Sequence, residues 1–135
     1  MENEELAIRR NRLNDISKII VNSALEVHRH IGPGLLESVY QTCMIEELRL
    51  NKLRVEEKVA VKLHYKSRRL NKGYEIDLLV ENEVILELKT VAFINPLFEA
   101  QLLSYLRLSN KRLGFIINFH VPLLKNGIRR MVNNF

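Results

Sequence analysis

Three charged residues stand inside apolar runs where charge is out of place. Asp77 interrupts Ile76-Asp77-Leu78-Leu79-Val80, Glu87 interrupts Val84-Ile85-Leu86-Glu87-Leu88, and Lys89 follows two positions on. The runs are too apolar for surface strands, and a buried carboxylate is costly unless it is paired or bound to a cation. A three-residue loop at Glu81-Asn82-Glu83 would pair Val80 with Val84, Leu79 with Ile85, Leu78 with Leu86, and therefore Asp77 with Glu87. Directly opposed residues share a face, with Cβ atoms roughly 4.5–5.5 Å apart. Two carboxylates so placed raise each other's pKa. A hard divalent cation between them, Mg2+ or Mn2+, would relieve that repulsion. Lys89 falls on the same face as Glu87 by alternation. A two-residue loop would instead set Asp77 opposite Leu88 and separate the acids. Taken singly, Glu-x-Lys reads as a surface charge pair and Asp77 as a polar residue near a strand start.

Other chemistry-bearing residues gather around these. Gln101 and Tyr105 are four apart on one helix face, where the plainer reading of Tyr105 is filler on a half-buried surface. Glu37 sits in the first turn of a helix, with Tyr40 three residues later; compensation of the helix dipole accounts for Glu37 equally well. His28, His30, His64 and His120 lack metal-ligand spacing. Cys43 lies on an apolar helix face and reads as core. Gly32-Pro33-Gly34 is not a phosphate loop, because no Gly-Lys-Ser/Thr follows.

The elements that must hold these groups can be read from periodicity. Leu13, Ile16, Ile19, Ile20, Ala24, Val27 and Ile31 recur at helical spacing, with Asn11 or Asn14 as N-cap and residues 1–12 as an N-terminal extension. Gly32 and Pro33 end that helix. A second helix spans about 36–50, with Val39, Cys43, Leu48 and their neighbours on its buried side. Alternation over 58–66 predicts a half-buried strand with a basic face, followed by a turn over 67–73. Strands are expected at 74–80 and 84–89. Asn95-Pro96 opens a helix that runs to about Leu108. The apolar run 113–119 reads as a strand buried on both faces. Asn126-Gly127 signals a turn before a short basic strand at 128–132. This order describes one α/β domain with a mixed sheet, in which the connection from 84–89 to 113–119 is long enough for a parallel crossover.

Composition is that of an ordered globular chain, 47% hydrophobic and 27% charged, which argues against disorder. No apolar run approaches the roughly 18 residues of a membrane span. The acidic start, Met1-Glu2-Asn3-Glu4-Glu5, does not read as a signal peptide. One cysteine permits no intrachain disulfide, in keeping with a cytoplasmic setting. The net charge is +5, and its distribution is uneven. No acid follows Glu99, and that segment carries Arg107, Lys111, Arg112, Lys125, Arg129 and Arg130. A second basic cluster is Lys58, Lys62, Lys66, Arg68, Arg69 and Lys72. These are compatible with nucleic-acid phosphates, and equally with a solvated surface or a guarded edge strand.

Gly34-Leu35-Leu36-Glu37-Ser38-Val39-Tyr40 resembles the signature of the GxxExxY family, which is placed in the PD-(D/E)XK nuclease-like superfamily. The resemblance continues through 74–80, Leu86-Glu87-Leu88-Lys89, Gln101-Leu102-Leu103-Ser104-Tyr105 and Ile117-Asn118-Phe119. It implies a restriction-endonuclease-like core, a mixed central sheet flanked by helices. Asp77 matches the first acid, and Glu87 with Lys89 the (D/E)XK pair, although Ile76 stands where proline gives the motif its name. Gln101 and Tyr105 are similar to the QxxxY element of RecB-type nucleases, and Glu37 to the helical acid that completes such sites. The implied activity is phosphodiester hydrolysis with Mg2+ or Mn2+ held by Asp77, Glu87 and the Leu88 carbonyl. Lys89 would orient water or stabilise the transition state, and Gln101 would position water or phosphate. Lys58, Lys62, Lys66, Arg129 and Arg130 would bind the backbone of a nucleic acid, DNA first, in a monomer or a homodimer. The rival readings are a nucleic-acid-binding protein without turnover and an assembly subunit that keeps the fold.

Overall fold

The computed structural model describes residues 3–70 and 73–135; Met1, Glu2, Asn71 and Lys72 lie outside them. Helix α1 (Glu4–Ile31) begins well before the expected caps Asn11 and Asn14, so residues 4–12 of the expected extension belong to it. Asn3 is the cap, its Oδ1 accepting from the Leu6 N–H at 2.8 Å. The first turns carry Glu4 and Glu5, which suit the positive helix end. They lack the apolar stripe that makes the rest of the helix legible. Gly32 ends α1 at φ 67°, ψ −174°, a conformation essentially reserved for glycine.

Helix α2 (Glu37–Leu50) buries Tyr40, Met44 and Leu48, a stripe at every fourth residue. Leu48 is buried as expected, but Val39 is exposed and Cys43 only partly covered, and their neighbours Tyr40 and Met44 take the buried positions. Strand β1 (Val55–Val61) starts earlier and ends sooner than the alternation over 58–66 predicts. His64–Tyr65 (β2) and Arg68–Arg69 (β3) form a separate two-stranded hairpin within the stretch expected to be strand end and turn. Then come β4 (Tyr74–Val80), β5 (Val84–Lys89), α3 (Pro96–Ser109), β6 (Leu113–Asn118), a single 3-10 turn at Leu124–Gly127, and β7 (Ile128–Val132). Asn95 caps α3 through Leu97 N–H at 2.9 Å, with Pro96 opening it.

The main sheet runs β1-β4-β5-β6-β7. Only the β5–β6 pair is parallel, bridged by α3; the other neighbours are antiparallel. Helices α1 and α2 cover one face, packing on Leu78, Val80, Leu86, Leu88, Phe115 and Ile117. Helix α3 covers the other, packing Leu102, Tyr105 and Leu106 on Ile76, Leu79, Ile85 and Ile116. This three-layer arrangement is a restriction-endonuclease-like α/β fold with a mixed sheet. Both faces of β5 and β6 are covered, which is why these two strands are apolar at nearly every position.

Candidate functional site

The β4–β5 register is the one required by a three-residue turn: Val80 pairs with Val84, Leu79 with Ile85 and Leu78 with Leu86. The ladder then stops at Asp77 and Glu87, and side chains take over its hydrogen bonds. Asp77 N–H donates to Glu87 Oε2 at 2.9 Å, and Leu88 N–H donates to Asp77 Oδ2 at 2.8 Å. Each carboxylate is thus anchored by one oxygen to the backbone of the opposite strand. No protein donor engages the second oxygen of either, among the described residues.

The pleat of β4 changes phase at the same place. Ile76 packs on the α3 side with Leu79, whereas Leu78 and Val80 pack on the α1–α2 side. In an uninterrupted strand Ile76, Leu78 and Val80 would share one face. Strand β1 makes the matching change: Val55 faces α1–α2, while Val59 and Val61 face α3. The β1–β4 ladder skips the rung between Glu57–Leu78 and Val59–Ile76, where Lys58 would meet Asp77. Lys58 adopts a left-handed φ of 53° there. Strands β1 and β4 therefore kink together, and β4 leaves β5 at Asp77. The opening admits groups from both helical layers.

From the α2 side, Gln41 Nε2 donates to the Asp77 carbonyl at 3.4 Å, and Glu37 lies close enough for its charge to act on Asp77 and Glu87. From the α3 side, Lys89 Nζ sits 4.4 Å from the centroid of the Phe98 ring, a cation–π contact. Tyr105 is buried and packs at 5.8 Å, tilted, against Tyr74. Gln101 lies between Phe98 and Tyr105 on the same helix stripe.

The electrostatics follow from burial and crowding. Glu87 is 5% exposed. Desolvation first and the Asp77 charge second push its carboxyl up to about 8, against the pull of the Asp77 N–H and of Lys89. Asp77 is also raised, by desolvation, with the Leu88 N–H and Lys89 opposing. Glu37 is raised by desolvation and by Asp77, although its side chain stands at an exposed helix start. Tyr105 is pushed to about 12, by burial and then by the negative charge of Glu87. These groups share a surplus of negative charge, which is the condition a hard cation corrects.

The residues fit such a cation in donor chemistry. Two carboxylates face one gap, each with an oxygen that no protein donor holds. The N–H and C=O of an extended residue project to the same side, so the Leu88 carbonyl shares the β4-facing direction of its N–H. Among the described residues, no three His, Cys, Asp or Glu side chains converge into a ready cage. Mg2+ does not demand one, because it commonly keeps several waters beside one or two carboxylates.

The basic residues are distributed less compactly than the acids. Lys58 is on edge strand β1 beside Asp77, and Lys62 lies just past that strand. Lys66 is in the β2–β3 turn, 5.5 Å from the Tyr65 ring centroid. Arg129 belongs to the row Glu87–Ile116–Arg129 across β5, β6 and β7. That places its backbone two strand spacings, about 10 Å, from Glu87, while its guanidinium donates to the Asn126 and Ile128 carbonyls. Arg130 projects to the α1 side, over the Phe135 ring and toward Asn14, so it is not brought to the acids.

Four residues position the site; Tyr40 and Asn118 lie in stretches already singled out in the sequence, whereas Phe98 and Gln41 do not. Tyr40 O–H donates to the Gly32 carbonyl at 2.6 Å and accepts from Leu35 N–H at 3.2 Å. Its ring stacks on Phe119 at 4.5 Å, fixing the loop that leads into Glu37. Asn118 is buried; its Oδ1 accepts from Val91 N–H and its Nδ2 donates to the Val91 carbonyl, pinning the chain just beyond Lys89. Phe98 could have been found by counting three back from Gln101. Gln41 could not, because nothing marks a glutamine in mid-helix as a backbone partner of another strand. The histidines behave as expected of structural groups: His28 Nε2 meets the Val121 carbonyl at 2.8 Å and His30 pairs with Glu26.

The model of the PD-(D/E)XK nuclease superfamily matches residues 14–131. No curated protein and no solved structure matches the chain. An acid on each of two diverging strands, a lysine two residues beyond the second acid, and a mixed sheet between helices are the features that name describes. With a match over nearly its whole length, the chain belongs to the PD-(D/E)XK nuclease superfamily.

Proposed function

We propose that the protein is a divalent-metal-dependent phosphodiesterase that hydrolyses nucleic acid, with DNA as its first candidate substrate. The superfamily consists mostly of nucleases that generally use divalent metals, which supplies the class of reaction. The observation that carries the reading for this chain is the cross-anchoring of Asp77 and Glu87 where β4 leaves β5. A purely structural pair would not need two repelling acids in a half-buried gap.

Asp77, Glu87 and the Leu88 carbonyl would hold Mg2+ or Mn2+. Such an ion supplies an activated water at neutral pH and neutralises charge on the scissile phosphate. The protein's own groups do the rest. Asp77 and Glu87 are fixed by the opposite backbone, so little reorganisation is needed when a cation arrives. Lys89, held against Phe98, places a positive charge where the pentavalent phosphate gains negative charge. Gln101 positions water or a phosphate oxygen. Glu37 offers a further carboxylate from the start of α2. Lys58 and Arg129 flank the acids on the β1 and β7 sides and would take neighbouring phosphates, with Lys62 and Lys66 extending the β1 side. Arg130 has no part in this arrangement. Placement in the GxxExxY branch belongs to the same reading. It is supported by Tyr40, whose hydroxyl and ring hold the glycine-bearing loop against Phe119 and set the position of Glu37.

The test is cleavage of linear, circular and single-stranded DNA and RNA with Mg2+ or Mn2+ against EDTA, using wild type, Glu87→Ala and Lys89→Ala. The expected result is metal-dependent cutting that falls at least about a hundredfold in both folded variants, the scale of losing a transition-state charge partner. Equal cutting by wild type and variants, or no cutting by wild type on any substrate, would overturn the catalytic reading.

A further inference from the structure

A second polar cavity lies beyond the start of β5, away from the acids. It has a volume of about 260 Å³ and is bounded by the first turns of α1, the β4–β5 turn and the α3–β6 connection. Glu83 borders it, and the distance along β5 from there to Glu87 is about 13 Å at strand rise. The two places are therefore separate.

Among the described residues, cationic side chains line the cavity without a carboxylate to neutralise them. Arg9 Nε is completely shielded from solvent and donates to nothing. Lys111 Nζ reaches only the Asn82 amide oxygen, at 3.5 Å. Arg112 also lines the cavity, and no carboxylate lies in ion-pair range of Arg9, Lys111 or Arg112 among the described residues. The single acid present, Glu83, is already engaged by Arg12 through both carboxylate oxygens. A buried guanidinium nitrogen without an acceptor is unfavourable by itself. Three cations that converge on a cavity with one neutralised acid make up the donor set of an oxyanion receptor.

We propose that this cavity is a binding site for a phosphate-class oxyanion, with the guanidinium groups of Arg9 and Arg112 and the ammonium of Lys111 as its cationic donors. Arginine suits the role because its planar donors match tetrahedral oxyanions, while lysine acts as a point charge. The cavity is roomier than a bare phosphate, so either free phosphate or the terminal phosphate of a nucleic acid can fill it. This inference does not rest on the catalytic reading, since none of its residues belongs to the acid site.

The experiment is thermal denaturation of the full chain in EDTA, titrated with sodium phosphate against sodium chloride at matched ionic strength. Wild type should show a saturable rise in Tm, roughly 5–10 °C when phosphate exceeds its Kd a hundredfold. Arg9→Gln should bind at least about tenfold more weakly, the loss of one charge-assisted hydrogen bond. Its Tm without phosphate should equal or exceed that of wild type, because an unpartnered buried donor has been removed. Lys111→Gln, altered at an exposed group, should also weaken binding and serves if Arg9→Gln does not fold. A second arm compares a 5′-phosphorylated oligonucleotide with the same strand lacking the phosphate. A preference that Arg9→Gln abolishes assigns the site to a nucleic-acid end; saturation by inorganic phosphate without that preference assigns it to the free ion. A rise in Tm that fails to saturate, or that is the same in wild type and both variants, would overturn the proposal.

Discussion

Replacing Glu87 by glutamine should make the metal-free protein more stable at alkaline pH, by an amount that depends on pH in a defined way. Glutamine keeps the shape and can still accept the Asp77 N–H, but it cannot ionise. In the native state the Glu87 carboxyl is raised from 4.5 to about 8, by burial and then by Asp77. Between those values the native protein holds a proton that the unfolded chain has released. Stability is therefore greatest below the unfolded pKa, falls as pH rises through the window from about 4.5 to about 8, and levels off above it. At about 1.4 kcal/mol per unit, the whole window amounts to on the order of 4–5 kcal/mol. Glu87→Gln does not suffer this loss. Urea denaturation in EDTA at pH 5, 7 and 9 should show wild type and variant within about 1 kcal/mol at pH 5, and the variant ahead by on the order of 4 kcal/mol at pH 9. Saturating Mg2+ should narrow or reverse the gap at pH 9, because a cation favours the ionised carboxylate that only wild type can offer. A gap that stays constant from pH 5 to pH 9 would refute the reasoning, since Glu87 would then be ionised without penalty throughout.

Two further perturbations examine the supports of the site. Tyr40→Phe removes a hydroxyl that both donates to Gly32 and accepts from Leu35 while keeping the ring stacked on Phe119; urea midpoints should show a loss of about 1–3 kcal/mol, and no loss would deny the hydroxyl its clamping role. Lys58 occupies a left-handed φ opposite Asp77, so Lys58→Gly should raise stability by roughly 0.5–1 kcal/mol and Lys58→Val lower it by about 1–2 kcal/mol, a sign difference that a regular extended strand would not give.

Sheet pairing was legible in the sequence because it follows from a count. Once the turn is three residues, the Asp77–Glu87 juxtaposition is fixed, and the structure adopts that register at each of the three rungs preceding it. The apolar run of β6 and the Asn95-Pro96 start of α3 were legible for similar reasons: burial on both faces and helix capping leave local marks. The start of α1 left a weaker mark. Its first turns are stabilised by charge and a single Asn3 cap rather than by a buried stripe. On α2, two candidate apolar stripes lie one residue apart. Tyr40 decides between them, because its ring finds Phe119, far away in sequence. The division of the basic residues was not legible either. Arg129 and Arg130 are neighbours in sequence but lie on opposite faces: Arg129 donates to the Asn126 and Ile128 carbonyls, whereas Arg130 reaches over the Phe135 ring toward Asn14.

The phase change at Asp77 is the feature that no local pattern announces, and it explains how the acids coexist with the sheet. In a regular antiparallel pair, the N–H groups of Asp77 and Leu88 would be satisfied by backbone carbonyls or would face another strand. Here they are satisfied by the two carboxylates themselves. The acids thus take the place of a missing stretch of ladder, and the charge of Asp77 acts on Glu87 in the gap that the ladder's absence opens. Removing one acid does not simply delete a ligand; it leaves a backbone N–H without its acceptor. Alanine at Glu87 should consequently lower stability even as it relieves repulsion, whereas glutamine relieves repulsion alone. The difference between those two substitutions separates the carboxylate's part in completing the sheet from the charge that a cation would need.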